Sequence, residues 1–241
     1  SKSIIFNYAD KGNTKLAQTT FKGKNNILTN NLGRSYSLTT DGRFVFITTR
    51  PDLPSDLAVG KIGSGQTTII TSINSDLLTH KALGTVEEIW YKSSHDGLDI
   101  QGWIIKPPGF DPSKKYPLII KIHGGPFSNY GNRFYLEKQL MAAEGYVVLY
   151  TNPRGSTSYG EKFAQLIHHD YPGDDFYDLN SGVDAVIQKG YIDEDNLFVT
   201  GGSGGGVQRG GASAACRSAA ARIDDPRQCP AQRSGPRDNR V

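Results

Sequence analysis

Leu197-Phe198-Val199-Thr200-Gly201-Gly202-Ser203-Gly204-Gly205-Gly206 is the stretch on which the fold turns. Four residues of strand-forming character run straight into a glycine cluster with a single serine at its centre. The pattern is G-x-S-x-G at a strand-to-helix junction, a nucleophile elbow. There the serine takes a strained backbone conformation, and its neighbours lack side chains so that strand and helix can approach closely. Ser203 is therefore the candidate nucleophile. A phosphate-binding loop would place Lys and Ser/Thr after its last glycine, whereas Gly206 is followed by Val207 and Gln208.

Upstream of the elbow the hydrophobic pattern alternates between two periods. Leu118-Ile119-Ile120-Lys121-Ile122 is a short apolar run bounded by proline and glycine, as a buried parallel strand is. A helix is predicted over 134–144, closed by Gly145, and a strand over 146–150 follows at once. Phe176, Leu179, Val183, Val186 and Ile187 recur at helical spacing until Gly190. Strands alternating with helices predict an α/β domain with a parallel sheet. The first 80 residues read differently. Strands at 36–40 and 43–49 flank an Asp41-Gly42 turn, and strands at 57–62 and 67–71 flank a loop at 63–66. Together they predict one four-stranded antiparallel sheet, a pattern shared by propeller blades and sandwiches. A third hairpin, 88–92 with 98–105, turns near Asp96-Gly97.

The strand at 118–122 ends in His123-Gly124-Gly125-Pro126, where an elbow hydrolase places half of its oxyanion hole. The backbone N–H groups of Gly125 and Gly204 are the candidate donors. His123 is read as shaping this loop rather than as the general base, because in such folds the catalytic histidine follows the nucleophile in the chain.

Four motifs in order carry a resemblance: Lys115-Tyr116-Pro117 leading to 123–126, Asn152-Pro153-Arg154-Gly155-Ser156 with Tyr159-Gly160, the helix at 175–187, and Gly201 to Gly206. Together they resemble the prolyl oligopeptidase family of serine peptidases, in particular its acylaminoacyl-peptidase and dipeptidyl-peptidase-like branches. The resemblance implies residues 1–80 as the C-terminal part of a β-propeller and 81–206 as the N-terminal half of an α/β-hydrolase domain. It also implies hydrolysis of short peptides through an acyl-enzyme on Ser203, without metal or cofactor. Arg154 is expected to form a structural ion pair with a nearby carboxylate. Asp174, Asp175 and Asp178 are expected to cap the helix that follows. The family's base is missing: the five histidines are His80, His95, His123, His168 and His169, all before Ser203. Asp224 and Asp225 do follow it, in a segment without the apolar strands that would hold a triad carboxylate. The chain alone is accordingly expected to be inactive. An esterase or lipase-like hydrolase with the same elbow, or a non-catalytic binding protein on the same fold, are the alternatives.

Charge and composition exclude other classes. The net charge of +3 comes from 27 basic and 24 acidic residues without a long block of either sign, so nothing calls for nucleic acid. No run of about 18 apolar residues predicts a membrane span, and no signal-peptide core is present. The chain begins without Met, which is read as a missing N-terminus, and the compartment stays open between secreted or periplasmic and cytoplasmic. Cys216 and Cys229 are its two cysteines, too few for a disulfide framework or a thiolate metal site. Composition breaks after Gly206: residues 207–241 hold seven Arg and no Lys, Leu, Phe, Tyr or Trp, while residues 1–206 hold fifteen Lys and five Arg. Such a segment cannot bury enough apolar surface to outweigh its ordering entropy, and it reads as a disordered tail, either biological or produced by a frame shift. The frame-shift reading has a direct check in the nucleotide sequence. Shifting frame just after the codon for Gly206 should yield an apolar helix, further strands, an Asp and a later His; early stops in all alternative frames would leave a genuine tail.

Overall fold

The computed structural model describes residues 3–206; the tail reading for 207–241, with Cys216, Cys229, Asp224 and Asp225, falls outside the described residues. Three sheets follow one another along the chain. Strands β1 (Ser3–Asp10), β2 (Asn13–Thr20) and β3 (Asn25–Thr29) form an antiparallel meander. Strands β4 (Leu32–Leu38), β5 (Arg43–Arg50), β6 (Leu53–Lys61) and β7 (Thr67–Ile69) form the four-stranded antiparallel sheet expected from the Asp41-Gly42 turn. Leu16, Leu28, Leu32, Phe44, Phe46 and Ala58 make a common core between these two sheets. The first sheet was not resolved into strands by pattern. Its middle strand buries only Leu16 and Ala17 among polar residues, so there is no alternation to read.

A short helix, α1 (Ser75–Leu78), leads to a mixed five-stranded sheet of order β12-β10-β11-β9-β8. It is built from β8 (Thr85–Lys92), β9 (Asp99–Lys106), β10 (Tyr116–Ile122), α2 (Leu136–Ala143), β11 (Val147–Asn152), α3 (Glu161–Gln165), α4 (Asp175–Ile187) and β12 (Ile192–Gly201). Strands β12, β10 and β11 are parallel, and the β8–β9 hairpin is added antiparallel along β11. Side chains alternate across a strand, so one strand feeds two cores. Val147 and Leu149 face Leu179, Val183 and Val186 of α4. Val148 and Tyr150 face Trp103, Ile105 and Ala142, the last from α2. The helices thus cover opposite faces, and β11 is buried along its whole length. Among the described residues no helix is long and apolar enough to cross a membrane.

Backbone hydrogen bonds tie the first sheet to the α/β unit. At the β1–β2 turn, Lys11 N donates to Ser158 O (2.8 Å), and Gly12 O accepts from Asn132 N (3.2 Å). Gly12 N also donates to Ser158 Oγ (2.8 Å). Because Leu149 is fully buried between β9, β10 and α4, Leu149→Ala should destabilise the chain by about 2–5 kcal/mol. Ile73→Ala, at 67% exposure, should change stability by no more than about 0.5 kcal/mol. Urea unfolding of the two variants measures the contrast.

Candidate active site

Parallel strands deliver their carboxyl ends to one edge of a sheet, the place where open α/β sheets bind ligands. Here that edge collects three connections: the loop after β10 with His123 to Pro126, the loop after β11 with Pro153 to Ser156, and the turn after β12 with Ser203. The register fixes their meeting. Ile122 lies opposite Gly201, so the next residues of the two strands, His123-Gly124 and Gly202-Ser203, emerge side by side.

Ser203 has φ of 56°, in the left-handed region that a residue with a side chain rarely enters. Immediately after it the chain begins a helical turn, with Gly205 N donating to Gly202 O (3.1 Å) and Gly206 N to Ser203 O (2.8 Å). This is the geometry that the glycine cluster predicts. Ser203 is exposed, and its Oγ has no hydrogen-bond partner among the described residues. The β10 loop crosses directly over it. A Cβ added to Gly124 would lie 3.2 Å from Ser203 Cβ and 3.7 Å from Ser203 Oγ. Gly204 is packed more tightly: a Cβ there would meet the Gly125 carbonyl and the Tyr171 hydroxyl, and would lie 2.9 Å from Gly125 N. Gly125 itself has φ of 135°, and a side chain on it would press within 2.9 Å of Phe127 N. Ser203, Gly125 and Gly204 are thus brought together.

His123 is not aimed at the serine. Its Nδ1 lies 2.8 Å from Gly124 O and its Nε2 3.0 Å from Ser156 Oγ. Burial holds its pKa below the ordinary histidine value, against the hydrogen bond to Gly124. Asn152 clamps the far end of the same loop, accepting from Tyr130 N (2.7 Å) and donating to Tyr130 O (3.0 Å). The sequence gives neither Asn152, although it stands in a quoted motif, nor Tyr171 a role. The Asn152-Pro153-Arg154 motif was the available signal for the first; nothing in the spacing points to the second.

Arg154 forms the expected ion pair, and its main partner corrects the reading of the acidic cluster. Asp178 is fully buried and accepts from Arg154 N (2.8 Å), Nε (2.9 Å) and Nη2 (2.9 Å). Asp96 binds the outer edge of the guanidinium (3.0 Å). Burial opposes the charge, but the bonds to Asp178 and then Asp96 outweigh it, so the guanidinium's pKa rises. Asp178 therefore serves the end of β11 and does not cap α4. Asp174 stands at the N-cap without a side-chain capping bond. Asp175 accepts from Gly173 N (2.8 Å), and burial pushes its carboxyl up to about 6 against that bond.

Residues 132–216 match the prolyl oligopeptidase family, a segment that contains the elbow, the Arg154 loop and α4. This segment is of the prolyl oligopeptidase family. The chain is 39% identical over 174 residues to an uncharacterized peptidase, YuxL, of Bacillus subtilis strain 168, covering 71% of this chain and 26% of that protein. It is 32% identical over 157 residues to dipeptidyl-peptidase 5 of Porphyromonas gingivalis, covering 64% of this chain and 23% of that protein. Its fold is similar to that of Pyrococcus horikoshii acylaminoacyl peptidase, with a TM-score of 0.73 at 26% identity, over 85% of this chain and 32% of that one. The chain thus spans about a quarter of the length of the curated relatives it matches.

Within this family segment the buried Arg154–Asp178 pair has the clearest energetic signature. Arg154→Met strands a buried carboxylate and should cost about 3–5 kcal/mol, while Arg154→Met with Asp178→Leu should recover part of the loss. Chemical denaturation of the single and double variants tests both.

Proposed function

We propose that this chain supplies the nucleophile half of a serine peptidase site, with Ser203 attacking the scissile carbonyl and the N–H groups of Gly125 and Gly204 receiving the oxyanion. The observation that carries this reading is the left-handed backbone of Ser203, at a strand-to-helix elbow with Gly124 lying across its side chain. Strain of this kind persists where the surrounding structure enforces it, and it holds the serine oxygen out toward solvent. Each oxyanion donor of this type contributes about 3–4 kcal/mol to transition-state stabilisation.

The substrates are read as short peptides. Relatives of this chain carry the names peptidase and dipeptidyl-peptidase. A similar structure, at a TM-score of 0.76 and 26% identity, is an acylaminoacyl peptidase in complex with Z-Gly-Gly-Phe-chloromethyl ketone. The meander β4-β5-β6-β7 supports reading residues 1–80 as the end of a propeller, and the parallel strands ending at the elbow support 81–206 as the first half of the hydrolase domain. Since no histidine follows Ser203 in the chain, and His123 is engaged with Gly124 and Ser156, the chain by itself lacks a base for the serine.

Two assays test the proposal. The chain alone should release p-nitroaniline from aminoacyl and peptidyl p-nitroanilides no faster than Ser203→Ala, because triad members act as a unit and their loss costs orders of magnitude. A chimera joining residues 1–206 to the segment that follows the corresponding serine in the Bacillus subtilis relative should gain amide hydrolysis that Ser203→Ala abolishes. Hydrolysis of p-nitrophenyl esters without amides would favour an esterase. Absence of both in a folded chimera would refute the nucleophile assignment.

A further inference from the structure

Among the described residues that carry a side chain, Lys11, Ser158, His169 and Ser203 have a positive φ. Ser203 belongs to the elbow, and His169 closes the turn after α3. Lys11 (48°) and Gly12 (75°) form the two-residue turn between β1 and β2, where paired left-handed residues are the rule. Ser158, at 89°, belongs to neither an elbow nor a hairpin, and strain of this kind lasts only where neighbours enforce it. Those neighbours are the two N–H groups at the tip of the β1–β2 turn, which the hairpin's own ladder leaves unpaired. Lys11 N donates to Ser158 O and Gly12 N to Ser158 Oγ, both at 2.8 Å. The outer sheet thus grips this serine by carbonyl and hydroxyl at once.

Thr157, the preceding residue, is bonded twice to the loop over Ser203. Its N–H donates to Ser128 O (2.9 Å) and its hydroxyl to Asn129 Oδ1 (3.0 Å). Ser128 closes the tight turn that begins at Gly125: its N–H donates to Pro126 O (2.7 Å), and a Cβ on Gly125 would lie 3.3 Å from Ser128 N and 3.4 Å from Ser128 Cβ. The path from the tip of the outer sheet to Gly125 therefore runs through Ser158, Thr157 and Ser128, and each step is a bond or a packed contact. Gly12 also holds the far side of the same loop, its carbonyl accepting from Asn132 N (3.2 Å). One residue of the outer sheet is bonded to both loops of the site.

We propose that Ser158 is a positioning residue for the loop over Ser203: clamped in its strained conformation by the β1–β2 turn, it presents Thr157 to Ser128 and Asn129, and the outer sheet thereby sets the turn that carries Gly125. The relevance to catalysis rests on Gly125 being an oxyanion donor, as proposed above; the clamp does not. Releasing the clamp lets φ of Ser158 return to negative values. That rotation turns Thr157 relative to Tyr159, whose hydroxyl is fixed between Asn152 and Gln101, and so draws Thr157 off Ser128.

The test is amide NMR on the full chain, since the exchange and shift of single N–H groups report local opening. Ser158→Ala removes the acceptor of Gly12 N and keeps the cost of a positive φ, whereas Ser158→Gly removes the acceptor and the cost together. In Ser158→Ala the Thr157 N–H should exchange roughly tenfold faster than in the unaltered chain, as the loss of one hydrogen bond allows, and the Gly125 cross-peak should move. In Ser158→Gly both should return toward their unaltered values. Amides of β11 should stay protected in either variant. An unchanged Thr157 amide in folded Ser158→Ala, a glycine variant as perturbed as the alanine one, or a Gly125 cross-peak that stays in place would each overturn the proposal. Should Ser158→Ala not fold, the unaltered chain still decides. Its Lys11, Gly12, Asn132 and Thr157 amides should lose protection together as urea is raised, and separate openings of the turn and of Thr157 would overturn the proposal. Ser203→Ala should leave these amides as they are, which separates failure of the clamp from failure of the nucleophile assignment.

Discussion

The arrangement depends on one close approach, that of the backbone after β10 to the backbone after β12. The two strands are neighbours in register, with Ile122 opposite Gly201, and their continuations must pass each other without side chains between them. Gly204 against Gly125 leaves no room for a Cβ that does not displace main chain, and a Cβ on Gly124 would lie 3.2 Å from both Gly202 O and Ser203 Cβ, which would have to give way by a few tenths of an ångström. This is a steric requirement on the backbone, so it cannot be satisfied by repacking flexible neighbours. It explains why glycine occupies both sides of the crossing and why the strained residue between them is held in place.

Around that crossing, polar groups do the fastening. Asn152 grips both the N–H and the carbonyl of Tyr130, and Arg154 brings Asp178 of α4 and Asp96 of the β8–β9 turn to the end of β11. The elements that share the carboxyl edge of the sheet are therefore linked to one another as well as to the core beneath. Buried charge pairs contribute little net stability over apolar packing, but they tolerate few alternative geometries. In this fold they define the positions of loops whose own sequence is rich in glycine and proline.

Much of this was legible in the amino-acid sequence, and what was not has identifiable causes. The Asp41-Gly42 turn, the apolar run at 118–122 and the helical spacing from Phe176 to Ile187 are local signals, and each element formed within a few residues of where its pattern lies. The glycine cluster announced the elbow because its demand is also local. Asp178 was misread because a carboxylate in the first turn of a helix looks like a dipole partner; only the end of β11, distant in sequence, supplies the guanidinium it binds. Lys138 gave no sign of its burial against three tyrosine rings. A lysine on a helix is ordinarily a solvated residue; two of the rings around it, Tyr130 and Tyr135, lie on the connection leading into α2, and the third, Tyr150, is brought in from β11 by the packing of α2 against that strand.

The β1–β2 turn bears on how the sequence can change over evolutionary time. Two of its three bonds to the α/β unit run from main chain to main chain, and the third needs only the hydroxyl of Ser158. A connection of that kind places its demand on residue identity at two glycines: Gly12 has φ of 75° and a Cβ on it would lie 2.7 Å from the Trp103 ring, and a Cβ on Gly131 would run into the Gly12 carbonyl. Away from those two glycines, and apart from a proline at position 11 or 132, which would remove a donor, substitutions along the turn leave the two main-chain attachments chemically intact. The outer sheet is therefore free to diverge in sequence while remaining joined to the α/β unit at the same point.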